Sequence, residues 1–276
     1  MKQYLDKILD WQEDNVVQQY DELPLWSSPF GLLLLDNFPI RNYETYLDIG
    51  FGTGFPLIDI AQRLGENCKS VGIDIWTAAA KRAKDKINTI GLKNIELIEA
   101  DASIIPFQDN YFDLITSNLG TNNFDNPEKV LAECYRVIKK DSSLCTTSNL
   151  KGTFDYFFDI FEKTLKELGL IQYLSKLESH IEHRGTIESK TDLIQESGFR
   201  IEKQVEANYT MRFLNGTTFL NHSVIIVGFI DSWRNMLEEP EKKVFFERFE
   251  SNLNDFSKLK GELKLTIPMV YFECKK

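Results

Sequence analysis

The chain has few of the residues that mark disulfide-rich, zinc-binding or membrane proteins. Its four cysteines are scattered without a C-x-x-C pair, so neither a disulfide framework nor a zinc site is indicated. No apolar run reaches the ~18 to 20 residues of a membrane span. Residues 1–21 are amphipathic and acidic and lack the basic start and apolar core of a signal peptide. We therefore expect a cytoplasmic protein without a membrane span.

Positively charged residues are also fewer than negatively charged ones. The chain has 32 Lys and Arg against 42 Asp and Glu, for a net charge of −10. Nucleic-acid binding needs clustered basic residues, so a nucleic-acid partner is disfavoured and a small-molecule substrate is expected. Aromatic residues make up 12% of the 276 residues and include twenty Phe, which suits a large core or an apolar substrate pocket. The length fits one large domain, or one domain with a substantial insertion.

The most informative stretch of the chain is residues 46–54, which read Tyr-Leu-Asp-Ile-Gly-Phe-Gly-Thr-Gly. An apolar run is followed by three alternating glycines and then by residues 55–64, which have helical spacing. The pattern predicts a buried strand, a tight turn and a helix. Glycines allow positive φ and let a ligand approach the backbone closely, and the helix start offers unpaired N–H groups.

The spacing of the glycines bears on the type of ligand. A dinucleotide fingerprint, G-x-G-x-x-G, would need glycine at position 55, where this chain has Phe55. Asp48 precedes Gly50 by two residues, and a carboxylate there suits a cationic group or water better than a pyrophosphate. The segment DIGFGTG resembles motif I of the class I S-adenosylmethionine (SAM) dependent methyltransferases. A glycine loop in some other α/β domain is the alternative.

Later elements fall where such a site requires them. A short apolar strand ends at Asp74, twenty residues after Gly54, at the position where a carboxylate grips a ribose diol. Ile75 and Trp76 follow and could cover an adenine ring. The resemblance further implies that Asp101 accepts the adenine amine and that the Ala102 N–H faces a ring nitrogen.

Apolar strands and helices alternate from residue 45 to residue 148, which predicts a parallel sheet covered on both faces. The resemblance implies seven strands with the last one antiparallel. The predicted fold is thus α/β, a doubly wound, seven-stranded and mostly parallel Rossmann-like sheet with a helical cap. Residues 217–237 are mostly apolar and are interpreted as an inserted cap, or alternatively as an extra core or dimer helix. The predicted divisions are an N-terminal helical cap (1–40), a SAM-binding core (41–150), substrate-side helices with the cap insertion (151–237), and a closing helix and strand (238–276).

Catalytic residues leave a weaker signal, because methyl transfer from a sulfonium depends mainly on placement of the acceptor. His222 is the preferred candidate base, since imidazole titrates near neutral pH. Asn122 and Asn123, in a loop beyond the fourth strand, are candidate substrate residues or a polar turn that caps the next helix. His180 and His183 are also candidate substrate residues, and without a third ligand they predict no metal site.

The resemblance implies cofactor contacts from two further residues. Related small-molecule methyltransferases place an N-terminal Tyr over the methionine part of the cofactor, a role that falls on Tyr20 here. Asn118 stands where family members contact substrate or cofactor, without the Asn-Pro-Pro-Tyr pattern of enzymes that methylate amide or exocyclic amine nitrogens. The complete predicted cofactor set is Tyr20, Asp48, Gly50, Gly52, Thr53, Gly54, Phe55, Asp74, Ile75, Trp76, Asp101, Ala102 and Asn118.

The sequence thus predicts a SAM-dependent methyltransferase that acts on a small, neutral or apolar acceptor, as a monomer or homodimer. The branch that it generally resembles methylates quinones, sterols and natural products. Two other function classes stay open. One is a SAM-binding module or subunit without catalysis, and the other is an NAD(P)-dependent oxidoreductase, which Phe55 and the placement of Asp101 disfavour.

Overall fold

The computed structural model describes residues 3–22 and 24–276. The strands of this part of the chain are β1 (Thr45–Ile49), β2 (Lys69–Asp74), β3 (Ile95–Glu99), β4 (Phe112–Asn118), β5 (Ile138–Asn149), β6 (Arg200–Phe213) and β7 (Leu263–Lys275). The helices are α1 (Gln3–Asp6), α2 (Asp14–Glu22), α3 (Ser27–Asn37), α4 (Leu57–Leu64), α5 (Thr77–Ile90), α6 (Pro127–Val137), α7 (Asp155–Glu167), α8 (Leu174–Glu182), α9 (Ile187–Glu196), α10 (Gly216–Leu220), α11 (Ser223–Gly228), α12 (Ile230–Arg234) and α13 (Glu241–Lys260).

The seven strands form one sheet in the order β3-β2-β1-β4-β5-β7-β6. Strands β1 to β5 pair in parallel, and β7 runs antiparallel to β5. This is the predicted seven-stranded, doubly wound α/β fold, which is confirmed. The central strands β1, β2 and β4 are buried almost throughout, as expected for a parallel sheet covered by helices on both faces. In this arrangement the strands β1, β2 and β4 all end at the same edge.

The chain divides into two compact units. The first, called here the core unit, contains residues 11–149, 185–207 and 269–276, and therefore holds β1 to β5. Its hydrophobic core includes Tyr46, Phe51 and Leu114 of the sheet region and Leu34 of α3.

The second unit contains residues 3–10, 150–184 and 208–268 of the described chain. Its core is aromatic: the rings of Phe157 and Trp233 lie 4.3 Å apart, and Phe249 lies 5.0 Å from Phe157. Many of the twenty Phe are used here for packing. No helix among the described residues is both long and apolar enough to span a membrane.

The predicted elements differ from the observed ones in detail. Helix α4 begins at Leu57 rather than at residue 55, and Pro56 occupies its N-cap position. The segment predicted as an inserted cap, or as an extra core or dimer helix, consists of three short helices, α10 to α12. The compact units also group residues differently from the predicted divisions, since residues 11–40 belong with the core unit and residues 185–207 return to it.

Candidate functional site

A buried carboxyl group lies at the end of β1. Asp48 is 0% exposed, and its Oδ1 accepts a hydrogen bond from the Thr116 hydroxyl, which in turn lies 2.7 Å from the Tyr46 hydroxyl. Because Thr116 donates to Asp48, it must accept from Tyr46. Asp48 Oδ2 is buried without a hydrogen-bond partner among the described residues. Burial raises the pKa of Asp48 to about 7, with a further contribution from the charge of Asp74.

The glycine turn follows directly and is open where a ligand would approach. Gly50, Gly52 and Gly54 all have positive φ, at 79°, 52° and 103°. A Cβ at Gly50 or Gly52 would meet no atom within 4 Å, whereas one at Gly54 would lie 2.6 Å from the Ile58 side chain. The first two glycines therefore leave room on the ligand side, and the third allows close packing against α4.

Asp74, at the end of β2, fixes the glycine turn through hydrogen bonds from the backbone. Its Oδ2 accepts the Gly52 N–H at 2.6 Å, and its Oδ1 accepts the Trp76 N–H at 2.9 Å. Each carboxylate oxygen keeps a second lone pair for a hydroxyl donor. Ile75, next to it, is 73% exposed and offers the apolar surface that the sequence predicted.

Three aromatic rings gather beside Asp74. Tyr20 on α2 packs at 5.4 Å from Trp76, and Trp11 contacts both rings at 5.9 and 5.3 Å. The indole N–H of Trp76 donates to the Trp11 carbonyl at 2.8 Å. Burial raises the pKa of Tyr20, whose hydroxyl is hydrogen-bonded with Ser27. Tyr20 thus lies near Asp74 and Trp76, and its contact with the methionine part of the cofactor stays a prediction.

A network of charged side chains that is not apparent from the sequence holds α2 in this place. Asp21 forms ion pairs with Arg82 at 2.8 Å and with Lys86 at 2.6 Å, both on α5. Burial opposes the charge of Asp21, but hydrogen bonds from Lys86, Arg82 and Thr53 outweigh it and lower its pKa. Thr53 is therefore a link between the glycine turn and α2. The signal in the sequence was the basic pair four residues apart on one face of α5.

The third acidic position lies after β3. Asp101 is exposed, and its Oδ1 accepts the Ser103 N–H at 2.7 Å. Hydrogen bonds from Ser103 lower the pKa of Asp101, so it stays charged. Ala102 next to it is buried.

The predicted residues after β4 are occupied by contacts within the protein. The Asn118 amide donates to the Ser27 carbonyl at 3.1 Å and accepts from the Thr147 hydroxyl at 2.7 Å. Asn122 exchanges two hydrogen bonds with the backbone of Asn149, and the Asn123 amide donates to the Leu119 carbonyl. These side chains order the loop that follows β4.

Phe55 packs toward α3. A Cβ placed on Gly31 of α3 would come within 2.1 Å of the Phe55 ring, so the ring lies against the helix backbone. Phe55 therefore joins the glycine turn to α3, a role that does not require a contact with the cofactor.

The three histidines belong to the second unit. His222 caps α11, since its Nδ1 accepts the Val224 N–H at 3.3 Å; burial lowers its pKa. His183 is exposed. His180 Nε2 is buried without a hydrogen-bond partner among the described residues, and burial together with the charge of Arg184 lowers the pKa of His180 to about 4.

Comparison with known proteins identifies the domain. Residues 47–146 match the family model described as a methyltransferase domain. This part of the chain is therefore similar to a methyltransferase domain. Over 155 residues the chain is 31% identical to the ubiquinone/menaquinone biosynthesis C-methyltransferase of Cronobacter sakazakii; the alignment covers 51% of this chain and 62% of that protein.

Solved structures share the methyltransferase fold. A SAM-dependent methyltransferase from Aquifex aeolicus superposes with a TM-score of 0.54 at 23% identity, covering 71% of this chain and 93% of that one. The [4+2]-cyclase SpnF superposes with a TM-score of 0.55 at 15% identity, covering 95% of both chains. The same fold therefore also occurs in a protein that is named for another reaction.

Proposed function

We propose that the protein is a SAM-dependent methyltransferase that transfers a methyl group to a small organic acceptor. The observation that carries this proposal is the arrangement at the ends of β1 and β2. There a buried carboxyl oxygen of Asp48 lacks a partner, Gly50 and Gly52 leave open space, and Asp74 fixes the turn between them. These residues fit a ligand with a cationic end and a ribose.

Each part of the site suits a different part of the cofactor. Asp48 would hold the ammonium end, directly or through water, Asp74 would bind the ribose hydroxyls, and Asp101 with the Ala102 N–H would bind adenine. Tyr20 and Trp76 would cover the cofactor with their rings. When bound, SAM supplies a methyl group already activated by its sulfonium.

The protein's own contribution to the reaction is placement. The asparagines of the loop after β4 fix the backbone at the edge where β1, β2 and β4 end, which suits a surface that orients an acceptor. We propose Asn122 and Asn123 as acceptor-side residues on this ground. A catalytic role of His222 stays a prediction. Its Nδ1, the nitrogen that would accept a proton from the substrate, already accepts the Val224 N–H at the start of α11.

A second candidate function is SAM binding without methyl transfer. It is favoured by the fold shared with a [4+2]-cyclase, because fold alone does not determine the reaction. The two candidates require the same cofactor residues and differ in whether the methyl group is consumed.

Calorimetric titration with SAM, S-adenosylhomocysteine and NAD tests the cofactor. We expect binding of the two sulfur nucleotides and none of NAD, and Asp74→Asn should weaken both by roughly tenfold, about 1.4 kcal/mol. Binding of NAD alone would support the oxidoreductase instead. Incubation with methyl-labelled SAM and a panel of small acceptors then separates the two candidates: labelled product identifies a methyltransferase, and unchanged SAM identifies a binding protein.

We also propose a cytoplasmic location and a monomeric or homodimeric state. Buried free thiols favour a reducing compartment, and all four cysteines, Cys68, Cys134, Cys145 and Cys274, are buried and unpaired. Fractionation of the native cells and light scattering of the purified protein test these two proposals.

A further inference from the structure

A lysine occupies an inward-facing position of α9, within the core unit. Lys190 is 8% exposed, and Ile194, one helical turn later, is 2% exposed. Positions i and i+4 share one face of a helix, and on a packed face both are normally apolar. Lys190 therefore stands where the helix pattern calls for an apolar side chain.

The protein provides few contacts that offset the burial of the Lys190 ammonium. Its Nζ donates to the Thr121 carbonyl at 3.4 Å, a long hydrogen bond. Among the described residues no carboxylate pairs with it, and two of its three N–H donors have no acceptor. Burial lowers the pKa of Lys190, and no neighbouring acid counters this effect. Burial of a charge without a partner is strongly unfavourable.

The polar groups around the same loop are already paired with one another. The Thr121 hydroxyl lies 2.7 Å from the Ser148 hydroxyl, and Asn122 exchanges two hydrogen bonds with Asn149. This loop follows β4, at the sheet edge that carries Asp48 and Asp74. The remaining donors of Lys190 thus have no acceptor among the described protein groups, and the carbonyl that its Nζ contacts belongs to the loop at the edge where β1, β2 and β4 end.

We propose that Lys190 binds an oxyanion, a carboxylate or phosphate, of the methyl acceptor beside the loop after β4. This inference rests on the proposed function and specifies its substrate class as an acidic small molecule. It differs from the neutral or apolar acceptor expected from composition, because aromatic residues dominate the core of the second unit whereas Lys190 belongs to the core unit.

The test uses anion binding and does not require the acceptor to be known. Wild-type protein saturated with S-adenosylhomocysteine is titrated with inorganic phosphate and with benzoate at constant ionic strength, and the melting temperature is followed. We expect at least one of the two anions to stabilise the protein beyond sodium chloride. Which of them does so distinguishes a phosphate group from a carboxylate group.

Three variants separate charge from packing. Lys190→Met keeps the length of the side chain without its charge and should raise the dissociation constant of the anion at least tenfold, about 1.4 kcal/mol. Lys190→Arg keeps the charge and should stay within about threefold of wild type. Lys203→Met, which removes the charge of an exposed lysine on β6, is the matched control and should bind the anion as wild type does.

Two results would overturn the inference: no anion-specific stabilisation of the wild type, or equal stabilisation of wild type and Lys190→Met. Either result leaves the proposed function standing if SAM still binds by calorimetry. Failure of SAM binding, by contrast, would contradict the proposed function. The anion titration would then be repeated without nucleotide to test anion binding by Lys190 on its own.

Discussion

At the scale of single residues, the two oxygens of the Asp48 carboxyl group have different surroundings, and the proposed cofactor would contact only one of them. A hydrogen bond from Thr116 and its burial fix Asp48 in the core, while its second oxygen has no partner among the described residues. With a pKa raised to about 7 by burial, the group is partly protonated at neutral pH. A cation beside it would favour the charged form.

Cofactor binding should therefore release protons from Asp48. At pH 7 we expect a release of about 0.5 proton per SAM bound, because a group with a pKa near 7 is half protonated there. Calorimetry at pH 7 in two buffers of different ionisation enthalpy measures this number. Asp48→Asn should show no release and weaker binding, whereas the exposed Asp36→Asn should behave as wild type. Release that persists in Asp48→Asn would contradict this assignment.

His180 should titrate near pH 4, because burial and the nearby charge of Arg184 both disfavour its protonated form. A histidine whose folded pKa lies below its unfolded value of 6.5 favours the neutral state. Its contribution to stability is therefore present above pH 6.5 and is lost as the pH falls toward 4. Proton NMR of the imidazole ring measures the midpoint, and Arg184→Met should raise it. A titration midpoint of the His180 imidazole near pH 6.5 in the wild type would contradict the burial of this side chain.

At the scale of elements, the position of α2 depends on a few charged side chains. Asp21 is only 10% exposed and is shared by Arg82 and Lys86 of α5. Helix α2 also carries Tyr20, which packs against Trp76. The ion pairs of Asp21 thus hold in place the helix that would form one wall of the proposed cofactor site.

Removal of this tether should loosen α2. Asp21→Asn should weaken SAM binding by about five- to tenfold, ~1 kcal/mol, and should increase hydrogen exchange across Asp14–Glu22. The control is Asp14→Asn on the same helix, since Asp14 pairs with Lys81 in an exposed position and such pairs contribute little. Equal effects of the two substitutions would show that the ion pairs of Asp21 do not determine the position of α2.

The sequence predicted those elements that local pattern determines. Strands β1 to β5 and the glycine turn follow from short apolar runs and alternating glycines, which produce the same backbone in many contexts. Helix α4 begins two residues later than the apolar spacing predicts, because Pro56 occupies its N-cap position. The continuous apolar residues of segment 217–237 predict an inserted helical cap or an extra core helix, and the division into short helices comes from capping by Asn215 and His222.

Contacts between distant segments could not be predicted in this way. Nothing in the sequence near Asp21 states that its partners lie 61 and 65 residues away. Lys190 reads as an ordinary solvated residue of an amphipathic helix, and only the packing of α9 shows that it is buried. The single positions Asp48 and Asp74, by contrast, could be found because they end strands whose order is fixed by the fold.

At the scale of the whole molecule, charge affects how fast the cofactor arrives. The protein carries a net charge of −10, SAM carries one net positive charge and S-adenosylhomocysteine carries none. Long-range attraction accelerates association and is screened by salt, with a Debye length of about 8 Å at physiological ionic strength. Attraction of this kind acts on the sulfonium cofactor and not on its product.

The association rate of SAM should therefore fall by about threefold or more between 20 and 300 mM NaCl, while that of S-adenosylhomocysteine should change little. Stopped-flow measurement of the fluorescence of Trp11 and Trp76 reports both rates, because both residues lie beside Asp74. Equal salt dependence for the two nucleotides would show that the overall charge does not steer the cofactor.

The strand order has a consequence for synthesis on the ribosome. Strand β7 follows every other strand in the chain, yet it lies between β5 and β6 in the sheet. Until β7 has left the exit tunnel, one edge of β5 in the nascent chain has no strand to pair with. Strand β6 also lacks its neighbour in the sheet, because that neighbour is β7. Unpaired edges of this kind invite aggregation. The sheet must thus be completed after translation of residue 262, and a ribosome that stalls before β7 would release a polypeptide with an incomplete sheet, a substrate for chaperones or proteases.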